Sequence, residues 1–181
     1  MSPIPIEQKT KGIEVRFRYL FAVLLFVSLQ SSAQQMSTLP DFTFYTLQDN
    51  TFTKFQIPKG RISLFMFFDV TCYHCQKAMQ AFNAHYREFR KINLFFVSLD
   101  TKKGIEDFMM QYGKDLFCQP NALVLMDLNY SFMPKFQAEA YPSFYVFSAA
   151  NKLISHTEGE VGSQEILSLA KNNFDILRGS N

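Results

Sequence analysis

The sequence predicts an α/β domain, a central mixed β-sheet flanked by helices and led by an N-terminal β-hairpin. Three observations predict it. Ile62–Phe68 and Asn93–Leu99 are nearly continuous apolar runs, the pattern of strands buried on both faces. Between them, from Cys72 to about Lys91, Cys75, Met79, Phe82, Tyr86 and Phe89 recur at helical intervals. Ahead of both, Phe42–Tyr45 and Phe52–Phe55 alternate apolar and polar around Gln48-Asp49-Asn50, a hairpin pattern.

The remaining elements follow in order. Ile105, Phe108, Met109 and Tyr112 repeat at helical spacing between Lys103 and Leu116. Leu123–Met126 is a short apolar piece of strand character, and Asn129–Phe136 reads as a short helix limited by Pro134. Ser143–Phe147 and Leu153–His156 pair as two strands around the turn Ala149–Lys152. Ser163 is a plausible N-cap for a last helix bearing Ile166, Leu167, Leu169, Ala170 and Phe174. The domain spans 36–178, with no internal repeat.

Residues 1–33 read as a targeting segment. Lys9, Lys11, Arg16 and Arg18 precede the apolar run Tyr19–Leu29, and the small residues ending at Ala33 offer a cleavage point. The run falls short of the ~20 apolar residues of a comfortable membrane span. A cleaved signal peptide is the first reading and an uncleaved N-terminal membrane anchor the second. Both place the domain outside the cytoplasm, in a periplasm, where oxidising conditions permit disulfide chemistry.

Composition narrows the function. The formal net charge is +2 and no Lys/Arg stripe is interleaved with aromatics, which excludes a nucleic-acid partner. Phe occurs 21 times and Trp never, so the core is Phe-rich and any motif that needs Trp is incomplete.

Cys72-Tyr73-His74-Cys75 sits where a buried strand hands over to a helix. Unpaired N–H groups and the helix dipole there favour an anion, so Cys72 is the candidate nucleophilic thiolate. Two intervening residues put Cys75 one turn on, within reach of a mixed disulfide on Cys72. The chemistry calls for no cofactor and no metal.

Phe67-Phe68-Asp69-Val70-Thr71-Cys72-Tyr73-His74-Cys75 resembles the active-site corner of thioredoxin-like proteins, most of all the exported TlpA/ResA-like thiol–disulfide oxidoreductases. The resemblance covers most of 38–178. It implies a cis-proline at Tyr141-Pro142, packed against the redox pair and holding substrate backbone. It also implies protein disulfide or dithiol partners, a membrane redox partner, and substrate contacts from Tyr73, Tyr141 and Pro142 beside the catalytic Cys72, Cys75, His74 and Pro142.

Three departures matter. Thr71 stands where the family usually has Trp. Met66 occupies the position of the buried acid of thioredoxin, which leaves Asp69 and Glu139 as candidate proton acceptors for Cys75. The middle pair is Tyr-His, and a His beside the second Cys resembles DsbA-type oxidants, where it stabilises the first thiolate. Cys118 reads as a buried or partly buried small hydrophobe, while His85 and His156 read as solvated.

Four alternatives stay open. A copper metallochaperone, as in the Sco proteins, shares the fold but has a wider Cys spacing and a His near Tyr141-Pro142. His156 lies past that strand. A four-ligand zinc site wants a second Cys/His pair. A peroxiredoxin places Thr three residues before its reactive Cys, where this chain has Asp69. The last is a non-catalytic thioredoxin-like binding domain.

Overall fold

The computed structural model describes residues 36–160 and Ser168. The targeting segment at 1–33 lies outside the described residues. So does the last helix at 163–174, apart from Ser168, which is helical. Seven strands form one mixed sheet: β1 (Thr43–Thr46), β2 (Thr51–Thr53), β3 (Ser63–Phe68), β4 (Asn93–Ser98), β5 (Ala122–Met126), β6 (Ser143–Phe147) and β7 (Leu153–Glu158). Their order is β2-β1-β5-β4-β3-β6-β7. β3, β4 and β5 run parallel, and the remaining pairings are antiparallel. The helices are α1 (Tyr73–Ala84), α2 (Lys102–Tyr112), α3 (Lys114–Phe117) and α4 (Phe132–Phe136).

β3 and β4 are buried at every residue, because helices and chain cover both faces. The period of two sorts their side chains. Leu64, Met66 and Phe68 of β3 join Leu94 and Phe96 of β4 beneath α1 and α2. Phe65 and Phe67 join Phe95 and Val97 on the opposite face, beneath α4 and the leading segment at Leu39 and Phe42. That second face is ring on ring. Phe67 stacks on Phe132 at 4.3 Å, Phe132 on Phe136 at 4.0 Å and Phe42 on Phe44 at 4.5 Å. Offset ring pairs of this kind add about 0.5–1.5 kcal/mol each beyond their buried area.

Several boundaries differ from the sequence expectation, the helix expected over Asn129–Phe136 starting only at Phe132, and three differ for a clear local reason. The second hairpin strand stops at Thr53, where the Gln56 side chain accepts the Thr53 N–H at 2.7 Å. A 3-10 turn over Lys54–Gln56 follows and leaves Phe55 83% exposed, not in a strand. The helix expected to run from Cys72 to Lys91 ends at Ala84 and gives way to a 3-10 turn at Tyr86–Phe89. The tighter turn carries Phe89 under the sheet, 4.9 Å from Phe82. The helix expected over Lys103–Leu116 breaks at Gly113, where the chain passes so close to Met79 and Met109 that a Cβ would lie 2.9 Å from each. Leu123–Met126 is indeed a strand, and Pro134 sits in the first turn of α4, where no N–H is needed.

Candidate active site

The parallel strands β3, β4 and β5 all end at one edge of the sheet, and the loops that follow converge there. β6 runs the other way, so its leading residues Tyr141 and Pro142 arrive at the same edge, beside Phe67. Cys72 is the N-cap of α1. Its sulfur accepts the Cys75 N–H at 3.3 Å, one of the helix N-terminal donors that intrahelical bonding leaves unpaired. Its own N–H donates to the Asp69 carbonyl at 3.2 Å.

The loop before the helix is fixed by two carboxylates. Asp69 Oδ1 accepts from the Thr71 N–H at 2.7 Å and the Thr71 hydroxyl at 2.6 Å, an Asx-turn. Asp100 Oδ2, at the end of β4, accepts the Val70 N–H at 3.0 Å and the Ser98 hydroxyl at 2.8 Å. Together they set the angle at which the chain enters α1.

The two thiols are unequal. Cys72 is half-buried, whereas Cys75 is fully buried. Burial pushes the Cys75 thiol well up from its ordinary value, and its hydrogen bond to Cys72 adds to the effect. The cysteines are not bonded to each other. The Tyr141–Pro142 peptide is cis, as the resemblance implied, and Pro142 is buried. The Cys72 thiol faces the Tyr141 carbonyl oxygen at 3.9 Å. The Tyr141 ring packs on Phe67 at 4.8 Å, and burial, with the charges of Asp69 and Asp100, raises its phenol above the usual range.

The other residues of the motif face outward. Tyr73 is 61% exposed, with Lys77 Nζ 5.4 Å above its ring. His74 lies 5.7 Å from the Tyr73 ring, and its Nδ1 is 3.8 Å from Glu160 Oε2. Of the two candidate acids, Asp69 bears on Cys75 through both its charge and its backbone. Glu139 is exposed, and its N–H donates to Glu158. Met66, at the position of the thioredoxin acid, is fully buried in the apolar layer that contains Cys75.

Cys118 corrects an expectation. It is exposed, not buried, because it caps α3 while Leu116 takes the core position. His85 pairs with Glu88 at 3.0 Å. His156 is on the surface but stacks on Tyr145 at 4.3 Å. Sequence reasoning missed Asp100 and Glu158, whose ties to Val70, Glu139 and Ser143 span 30, 19 and 15 residues and leave no local pattern. Among the described residues, no group of three or more His, Cys, Asp or Glu side chains is placed to hold a metal ion, and no helix is long and apolar enough to cross a membrane.

Several solved structures share this fold. A secreted Mycobacterium tuberculosis disulfide oxidoreductase homologous to Escherichia coli DsbE is similar at TM-score 0.62 and 13% identity, over 72% of this chain and 95% of that one. StoA from Bacillus subtilis is similar at TM-score 0.57 and 16% identity, over 74% and 99%. The exposed lipoprotein thioredoxin Etrx1 of Streptococcus pneumoniae is similar at TM-score 0.56 and 20% identity, over 73% and 98%. At these identities the likeness shows the fold, which is thioredoxin-like. No curated protein sequence matches the chain. The AhpC/TSA family model matches residues 36–156, and the chain therefore belongs to the AhpC/TSA family within the thioredoxin-like fold.

Proposed function

We propose that the protein is an exported thiol–disulfide oxidoreductase that exchanges disulfides with partner proteins in the periplasm through Cys72 and Cys75. One observation carries this reading. A half-buried sulfur at a helix N-terminus accepts the N–H of a buried second cysteine one turn away. That arrangement separates an attacking thiolate from a protected resolving thiol.

The Cys72 thiolate attacks one sulfur of a partner disulfide. A Cys72–partner S–S bond forms, the partner bond breaks, and the departing thiolate takes a proton. Cys75 then gives its proton to Asp69 and attacks Cys72 Sγ. The Cys72–Cys75 bond forms, and the second partner thiolate leaves and takes from Asp69 the proton that Cys75 gave up; the partner has gained two electrons, one proton from Cys75 and one from solvent. The reverse sequence oxidises a dithiol. Burial favours the neutral Cys75 thiol, so Cys72 and not Cys75 makes the first attack.

Tyr73, Tyr141 and Pro142 are the proposed substrate contacts, and the Tyr141 carbonyl, 3.9 Å from the Cys72 thiol, can meet a partner backbone N–H. His74 is the proposed tuning residue, with its Nδ1 3.8 Å from Glu160 Oε2. A membrane redox partner would return the pair to its working state, with residues 1–33 directing export or anchoring. A peroxiredoxin reading is less well supported, because Asp69 stands three residues before Cys72 and engages both the N–H and the hydroxyl of Thr71.

Insulin disulfide reduction with a dithiol feed, together with the reduction potential of the couple, tests the proposal. Activity lost in Cys72→Ser supports it, and wild-type protein that neither reduces any disulfide nor oxidises any dithiol overturns it. A potential near about −270 mV marks a reductant and one near about −120 mV an oxidant.

A further inference from the structure

One carboxylate outside the motif is tied to both sides of the Tyr141–Pro142 peptide. Glu158 ends β7, opposite Ser143 of β6. Its Oε1 accepts the Glu139 N–H at 3.0 Å, from the chain leading into Tyr141. The same oxygen lies 3.1 Å from the Ser143 hydroxyl, on the far side of Pro142. That hydroxyl also makes a very short contact with the Ala140 carbonyl, so its single proton is shared between two acceptors inside the loop. Two further groups reach Oε1: His156 Nε2 at 3.1 Å, and the Tyr145 hydroxyl, which donates to it at 3.4 Å. The next residue adds a backbone tie, with the Gly159 N–H donating to the Pro142 carbonyl at 2.8 Å.

Burial opposes charge on Glu158, yet the hydrogen bonds from Glu139, His156 and Ser143 outweigh it and hold the carboxyl below the usual range. It is therefore an anion at neutral pH, and charged acceptors make the stronger hydrogen bonds. The loop it gathers presents the Tyr141 carbonyl to Cys72 at 3.9 Å.

We propose that Glu158 is a positioning residue for disulfide exchange: by tying Glu139 and Ser143 together it fixes the Tyr141–Pro142 loop at the height from which that loop holds a partner's backbone beside Cys72. This rests on the proposed exchange function. The hydrogen bonds of Glu158 go to Glu139, Ser143, Tyr145 and His156 and not to the cysteines, so its removal acts on docking more than on bond exchange.

The test compares wild type, Glu158→Ala and Glu158→Gln in insulin reduction kinetics and in amide hydrogen exchange. Glu158→Ala should raise KM for insulin about tenfold, with kcat changed less than threefold. The Glu139 and Gly159 amides should exchange faster, with those of α1 unchanged. Glu158→Gln keeps an acceptor oxygen and should restore most of the affinity. Equal loss in kcat and KM with loosening throughout the fold, or no change in KM, overturns the proposal. If Glu158→Ala does not fold, Ser143→Ala removes one tie and should raise KM by a smaller factor, and an unchanged KM there overturns it equally. Wild type inactive on every disulfide would sink the exchange function. The amide comparison would still decide whether Glu158 ties the loop.

Discussion

The two faces of the sheet are buried alike and built differently. Beneath α4 the contacts are rings packed on rings, from Phe42 and Phe44 across Phe65 and Phe67 to Phe132 and Phe136. Beneath α1 and α2, Met66, Met79, Met109 and Met126 are interleaved with Phe82, Phe96 and Phe108, and Cys75 lies among them. Flat rings lock in place, whereas methionine side chains can repack around a helix. The stiff face backs the strand that leads to Cys72, and the adaptable face receives the helix whose first turn performs the chemistry. The difference teaches that the reactive corner is braced from behind and cushioned from the side.

Four experiments probe that contrast, from the largest expected effect to the smallest. Cys72→Ser removes the nucleophile, and disulfide exchange should fall to background while the far-UV circular dichroism stays that of wild type. Residual exchange above background would put the nucleophile elsewhere. Phe132→Ala empties the middle of the ring stack and should cost about 3–5 kcal/mol in urea unfolding, a large part of a typical domain's stability. A loss below about 1.5 kcal/mol, the scale of a volume-conserving core swap, would mean that the aromatic face relaxes as readily as the methionine face.

The third experiment uses pH on the reduced protein. Burial holds the folded Cys75 thiol above its ordinary value of 9.0, so the unfolded chain loses that proton first. The stabilisation is complete below pH 9 and declines as pH rises beyond it, by up to about 1.4 kcal/mol per unit. Cys75→Ala should flatten the slope between pH 9 and 10, and identical slopes in the two proteins would contradict the burial of Cys75. The smallest effect belongs to Gly113→Ala. A new Cβ would meet the ends of Met79 and Met109 at 2.9 Å, but flexible side chains give way. About 1 kcal/mol is expected, at the mild end of overpacking. A loss as large as that of Phe132→Ala would remove the distinction between the faces.

Much of this architecture was legible in the chain. The apolar runs at Ile62–Phe68 and Asn93–Leu99 have no polar side to face water, and they became the two fully buried central strands. The Cys72–Cys75 spacing after the first of them placed the corner, and Tyr141-Pro142 placed its partner loop. What local pattern could not carry was the bracing. Asp100 acts on Val70 across 30 residues, and Glu158 acts on Ser143 and Glu139 across 15 and 19. Such bonds exist only once strand order is fixed. Helix periodicity likewise ran through His85, since Tyr86 and Phe89 keep the stripe whether the turn is α or 3-10. Cys118 read as core because cysteine is usually buried, yet a helix C-cap turned it outward.

The most direct test of the central claim is a trap. Cys75→Ser cannot resolve a mixed disulfide, so incubation with a disulfide-bonded protein should accumulate a covalent adduct. Peptide mapping should place that bond on Cys72, and dithiothreitol should release it. An adduct on the exposed Cys118, or none at all, would contradict the assignment of Cys72 as the attacking thiol.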